Sequence, residues 1–412
     1  MREVAGDPIA APEQADHPGK EGLRARLPSI DRALFWPKAF YFCFYAAGAS
    51  LVPFLALYYR ELGLSSAQIG FLVGVSPLIT LFSAPLWGAG ADALQRHRAL
   101  FLAAIASAWM AVLALARASS FPWIVTLAAL YAFCGAPIIP LVDNSVLSLL
   151  GQRRNQYGRQ RVWGAIGWGV AGPIMGALIE QTSLPAIFAG YLLWMGCGFL
   201  IATRLPVPRA RLGVRFMGGL RRLLANRQWA IFLLTVFLGG MGISLTNNFL
   251  FLYMSDIGGS ESLMGLALAM GTVSEMPVLF FSDRLLRRWG ARGVLTFSLA
   301  ACVARAFGYA LMTAPWTAVL LQLLHGPTFS ALWAAGVAYA HAIAPPGMGA
   351  TAQGMFTATA LGLAAAIGAF LGGIIYQAWG GASLFGAVGG IALAGLVLWI
   401  TAGRESAVAT RP

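Results

Sequence analysis

The chain has 412 residues, of which 58% are hydrophobic and only 10% charged, less than half the charged share of an ordinary soluble domain. A water-soluble protein of this composition would expose apolar patches far larger than monomers tolerate, so lipid is the expected solvent. The net charge of +13 does not point to nucleic acid, because the basic residues sit between apolar runs and not on one polar domain.

Residues 1–32 carry both charge signs, several prolines and no apolar stretch. That is the pattern of a disordered cytoplasmic tail, and it lacks the apolar core of a secretory signal. A helix needs roughly 20 apolar residues to cross the hydrocarbon core. Such runs are expected at 34–59, 67–91, 98–117, 122–150, 161–180, 184–203, 229–255, 262–282, 292–312, 316–343, 351–376 and 382–402. Prolines inside them, such as Pro53, Pro173, Pro277 and Pro327, are tolerated where neighbouring helices satisfy the freed backbone groups. The four cysteines, Cys43, Cys134, Cys197 and Cys302, lie inside apolar runs without metal or disulfide spacing.

Lysine and arginine placement sets the orientation. With the N-terminus in the cytoplasm, only Arg60 and Arg117 lie in outer loops, and Arg305 falls inside a span. The segment 204–228 holds arginines and no acid at the midpoint of the chain, as a linker between halves would. The halves repeat one another. Phe54-Leu-Ala-Leu-Tyr58 with Gly63, Ser65 and Gly70 returns as Phe249-Leu-Phe-Leu-Tyr253 with Gly258, Ser260 and Gly265; Asp92 and Asp283 also correspond. The fold class expected is an all-α membrane protein of twelve transmembrane helices in two pseudo-symmetric six-helix bundles. Its parts are a tail (1–32), a bundle (33–203), a basic cytoplasmic linker (204–228), a second bundle (229–403) and a tail (404–412). Internal repeats of this kind are common in secondary transporters, which hold substrate at the midplane between the repeats. No P-loop sequence is present, so driving energy is expected from an ion gradient or the solute's own gradient.

The loop after the second span reads Gly88-Ala-Gly-Ala-Asp92-Ala-Leu-Gln-Arg96. It resembles the loop signature of the major facilitator superfamily, with a degraded copy at Asp283-Arg284. The resemblance implies that Gly88, Asp92, Arg96, Asp283 and Arg284 gate the cytoplasmic side; ordinary positive-inside anchoring is the other reading. Tyr157-Gly-Arg-Gln-Arg161-Val-Trp-Gly-Ala-Ile-Gly-Trp168 resembles the fifth helix of the lactose permease group of proton symporters. Gln322-Leu-Leu-His325-Gly-Pro-Thr328-Phe329 resembles the tenth helix of phenylpropionate permeases.

Ionisable groups inside spans are costly and are functional candidates by default. Glu275, Arg305 and His325 fall at similar depth in the eighth, ninth and tenth spans, where they can exchange a proton, since histidine changes charge near neutral pH. The resemblance implies proton coupling for these three; a static Glu275–Arg305 pair is the alternative. Asp143 and Arg161 form the N-half counterpart. Arg161 can fork to a carboxylate or an anionic solute, and Trp168 offers a flat apolar face to a ring. Asn144, Asn247, Asn248, Gln322 and Gln353 could add hydrogen bonds to a solute. Interfacial anchoring for Arg161, lipid-facing packing for Trp168 and helix–helix contacts for the amides stand beside these readings.

The function expected is secondary active transport of a small organic solute across the inner (plasma) membrane, by alternating access with proton symport. A proton-coupled exporter of the same fold is the alternative, and a membrane receptor or enzyme a third. The expected partners are a small-molecule substrate, protons and the lipid bilayer, with no nucleic acid, metal or cofactor, and the chain is read as a monomer.

Overall fold

The computed structural model describes residues 34–94, 96–206, 226–345 and 348–402. The two expected tails and most of the linker lie outside the described residues, as do the surroundings of Gly88 and the side chain of Asp92. Among the described residues every regular element is helical. The N-terminal half holds α1 (Phe35–Glu61), α2 (Ser66–Leu94), α3 (His97–Leu115), α4 in two segments (Phe121–Gly135 and Ile138–Leu150), α5 (Tyr157–Gln181) and α6 (Ala186–Ala202). The C-terminal half holds α7 (Arg227–Asp256), α8 (Glu261–Phe280), α9 (Ser282–Ala310), α10 (Thr317–Ile343), α11 (349–379) and α12 (381–402).

Glycine punctuation divides the longest runs. Thr351–Ala402 spans 52 residues, about twice what one crossing needs. Gly380, at φ +76°, turns it into two helices. Gly290, at φ +66°, likewise separates a short arginine-rich stub from the membrane part of α9. Both angles lie in the left-handed region that only glycine enters without strain.

The first helix of each half is the central one. Two-thirds of the apolar window of α1 and of α7 is buried (67% each), against 28–50% for the other long spans. The halves meet at the end carrying the α1–α2 and α7–α8 turns. One hydrophobic core runs from the N-half into the C-half there, taking in Leu245, Phe249–Met254, Tyr309, Tyr376 and Phe385. Toward the opposite end, where the linker begins, the C-half has a separate core of Trp229, Phe232, Leu299, Leu332, Phe356 and Trp399. The bundle is therefore a cleft, closed at one end and opening toward the linker.

Two homologous clasps hold the closed end. In the first, Gly70 of α2 lies against Gly373 of α11, and a Cβ on Gly373 would stand 2.5 Å from the Ser66 carbonyl oxygen. One turn on, the Gln377 side chain accepts from the Ala67 N–H at 3.1 Å. In the second, Gly265 of α8 lies against Gly172 and Gly176 of α5, with Gly176 on the Glu261 carbonyl. One turn on, Glu180 accepts from the Ser262 N–H at 3.2 Å. The paired positions are repeat equivalents on both sides. Small residues allow the backbones to touch, and each cap satisfies an orphan N–H at a helix start.

Candidate functional site

Each half carries one polar centre facing away from lipid. Along α5 the exposed apolar residues Trp163, Val170 and Ile174 form one stripe. At 100° per residue, Arg161 stands about 200° from Trp163 and about 180° from Val170. Along α8 the stripe is Leu266, Val273 and Phe280, and Glu275 lies about 200° from Val273. On α10 Leu320 and Leu323 are exposed, while His325 turns to Glu275 of α8. All three charged or titratable side chains point into the bundle.

The N-half centre joins α1, α4 and α5. Arg161 Nη1 donates to both oxygens of Asp143, at 3.1 and 3.3 Å. Arg161 Nη2 donates to the Tyr45 hydroxyl at 2.7 Å, and the Tyr41 hydroxyl donates to Asp143 at 2.5 Å. The guanidinium also lies over both tyrosine rings, at 5.8 and 5.5 Å from their centroids. Side-chain exposures of 38% for Arg161 and 27% for Asp143 leave both open to a solute. Arg161 sits one turn into α5, so this centre lies on the linker side of the cleft. Two turns further along the same face, Trp168 packs on Gly48 of α1, where a Cβ would stand 3.2 Å from the indole. Trp168 thus lies against α1 and away from the lipid stripe.

The C-half centre does not contain the Glu275–Arg305 pair that stood as the alternative to proton coupling. Glu275 is bound to His325, with Nε2 to Oε1 at 3.0 Å, and Ser330 donates to its other oxygen at 3.4 Å. Arg305 is held instead by neutral groups: Gln322 Oε1 at 2.6 Å, Thr328 Oγ1 at 3.0 Å and the Tyr309 hydroxyl at 3.2 Å. It is 3% exposed, so its cradle is complete and faces no solvent. Gln322 is buried and its Oε1 is engaged with Arg305.

Local helix geometry explains this partition. Pro327 lacks an N–H and would crowd the carbonyl four residues before it. The chain answers with a 3₁₀ turn at Gln322–Leu324 and a π turn at Gly326–Ser330. Ser274 of α8 repairs the ladder, accepting from the Gly326 N–H at 2.9 Å and donating toward the Gln322 carbonyl at 3.1 Å. A Cβ on Gly326 would overlap the Ser274 carbonyl, so α8 and α10 approach to backbone contact there. That approach puts Glu275 beside His325. Gly326→Ala is accordingly expected to cost about 1–3 kcal/mol through overpacking, read as a lowered melting temperature of the detergent-solubilised protein.

The remaining candidates fall in different places. Asn144 is half-buried beside Asp143. Asn248 donates to Ser244 of its own helix at 3.1 Å. Asn247 is exposed about 220° round α7 from the exposed Leu234, facing the cleft. Gln353 is exposed near the start of α11, and Arg96, Asp283 and Arg284 are exposed at the linker end. The Asp92 contacts of the expected gate lie outside the described residues. Among the described residues no three His, Cys, Asp or Glu side chains converge as a metal site would require. Tyr41, Tyr45, Tyr309, Ser274, Thr328 and Ser330 complete the two centres, and their one sequence signal was hydroxyls spaced a turn apart on the helices that carry or face the charges.

Known proteins share this architecture. The chain is 30% identical over 388 residues to the maltose permease of Geobacillus stearothermophilus, covering 93% of this chain and 98% of that protein. It is 27% identical over 350 residues to the probable 3-phenylpropionic acid transporter of Escherichia coli (strain K12), covering 83% and 91%. The crystal structure of the nucleoside transporter NupG superposes with a TM-score of 0.79 at 18% identity, covering 89% of this chain and 98% of that one. The MFS_1 like family matches residues 34–387, and with its twelve helices in two repeated bundles the chain belongs to that family: a multi-pass membrane transporter of the major facilitator type, and not an enzyme.

Proposed function

We propose that the protein is a proton-coupled symporter that imports a neutral, polyhydroxylated solute of the short-oligosaccharide class. The carrying observation is the Asp143–Arg161 pair, about a third exposed. The guanidinium is already neutralised by its carboxylate, so an organic anion gains little from it. Side by side, the pair offers acceptor and donor to adjacent hydroxyls, and Trp168 lies on the same helix face for the ring's apolar side. The similarity to a maltose permease over nearly the whole of both chains supports this class. The Glu275–His325 pair takes the coupling proton, and Arg305 in its neutral cradle keeps a fixed positive charge nearby. In this reading the membrane is the plasma (inner) membrane, both termini and the linker lie in the cytoplasm, and the cleft opens inward. The bundles are 33–203 and 229–403, and one chain suffices.

Purified protein in liposomes should accumulate radiolabelled maltose only when the interior is made alkaline. Accumulation under the reversed gradient would identify a proton-coupled exporter instead. The 38% exposure of Arg161 favours a second reading, an aromatic carboxylate displacing Asp143, consistent with the similarity to a 3-phenylpropionic acid transporter. Competition of maltose uptake by phenylpropionate separates the two.

A further inference from the structure

One ion pair stands apart from the duplicated clasps at the closed end. Arg60, in the last turn of α1, is paired with Asp256, in the last turn of α7, and reaches the Leu252 carbonyl at 3.5 Å. The second oxygen of Asp256 accepts from the Tyr376 hydroxyl of α11. Three helices and both halves thus converge on one carboxylate. The repeat relates Arg60-Glu61 to Ser255-Asp256, so the mirrored contact would set Ser255 against Glu61 and contains no cation. The clasps obey the two-fold symmetry, and this contact breaks it. Directly beneath, Phe54 of the N-half meets Phe251 of the C-half at 5.1 Å, both buried.

A contact shifts a conformational equilibrium only by its difference between the two states. The clasps consist of glycines, backbone carbonyls and single caps, which fit the halves together without net charge attraction. Arg60 and Asp256 attract across the seam and separate into water when the halves part. Their exposures of 34% and 40% let solvent reach the pair, so it breaks readily and is screened by salt. Tyr376, fixed on α11, holds the carboxylate in place as its rotamers would otherwise scatter.

We propose that Arg60, Asp256 and Tyr376 form the lock of the closed end, a contact made only while the cleft opens toward the linker, and that its strength sets how often the opposite face opens. The proposal rests on the alternating-access reading but on no particular solute or coupling ion. Spin labels at Ser120→Cys and Thr313→Cys, exposed repeat-equivalent positions at this end, report the separation of the halves in a background lacking the native cysteines. Arg60→Gln and Asp256→Asn should each enlarge the long-distance population roughly three- to fivefold. Tyr376→Phe should do so less, and the exchanged pair R60D/D256R, which restores the charge pair without the Tyr376 bond, should bring it back to the Tyr376→Phe value. Added salt should act like Arg60→Gln on the wild type and leave that variant unmoved. Glu61→Gln, the repeat counterpart without a cation, should change nothing. Unaltered distances in both Arg60→Gln and Asp256→Asn, with Tyr376→Phe also unaltered as the mild variant that folds most readily, would overturn the lock. An equal response in Glu61→Gln would overturn it as well, since any loss of charge would then suffice. The readout needs no transport, so a wrong solute leaves it standing.

Discussion

Solute uptake by an Arg161→Ala protein is expected to fall roughly 30- to 100-fold, with most of the loss in apparent affinity. The pair with Asp143 is neither fully buried nor a surface bridge. Breaking it should cost about 2–3 kcal/mol, between the values for exposed and buried pairs, and each 1.4 kcal/mol is roughly tenfold. Part of that cost is structural, because Asp143 would keep the Tyr41 hydroxyl and lose its cation. An Asp143→Asn/Arg161→Ala double variant separates the two parts. It removes the stranded charge, so the melting temperature should recover while uptake stays low. Arg161→Lys should recover charge without the fork that reaches Asp143 and Tyr45 together, and uptake should remain about tenfold down. Recovery of uptake in the double variant would make the pair a scaffold and remove it from solute binding. Initial rates against solute concentration, with thermal melting of each variant, decide the matter.

The twelve spans were legible because a membrane crossing has a length and an apolarity that few other segments share. Even the break at Gly380 fell between two spans expected on length alone. Asp143 and Arg161 were legible for the converse reason, since charge in a span is rare enough to require a partner. Azimuth was not legible. Glu275, Arg305 and His325 have similar depth in the sequence, and nothing in the spacing says that α8 and α10 touch at Gly326 while Arg305 turns to Gln322 and Thr328. That choice depends on a π turn set off by Pro327, a tertiary compromise between two helices. Tyr41 and Tyr45 were hidden differently. In so aromatic a helix their rings read as core packing, and only the position of α4 and α5 shows that the hydroxyls complete an ion pair. The closed-end clasps were half legible: Gly70 and Gly265 stood out as repeat equivalents, but their partners Gly373 and Gly176 required the packed bundle.

The second large effect is expected at Glu275. In Glu275→Gln, accumulation against a gradient should drop to the level of simple equilibration, while exchange of labelled for unlabelled solute across the membrane stays within about threefold of wild type. The side-chain amide is nearly isosteric with the carboxylate and can still meet His325 Nε2 and the Ser330 hydroxyl, so the α8–α10 contact survives. What is lost is a group that alternates between charged and neutral. Exchange needs the cleft to reorient with solute bound and requires no net proton movement, whereas accumulation needs a proton to accompany each solute. His325 alone does not replace the carboxylate, since its Nε2 would face an uncharged amide in place of the group that pairs with it. Loss of exchange together with accumulation would mean that Glu275 holds the fold or the solute and carries no coupling proton. Undiminished accumulation would place the proton elsewhere, with Asp143 the other intramembrane carboxylate among the described residues and the next to neutralise.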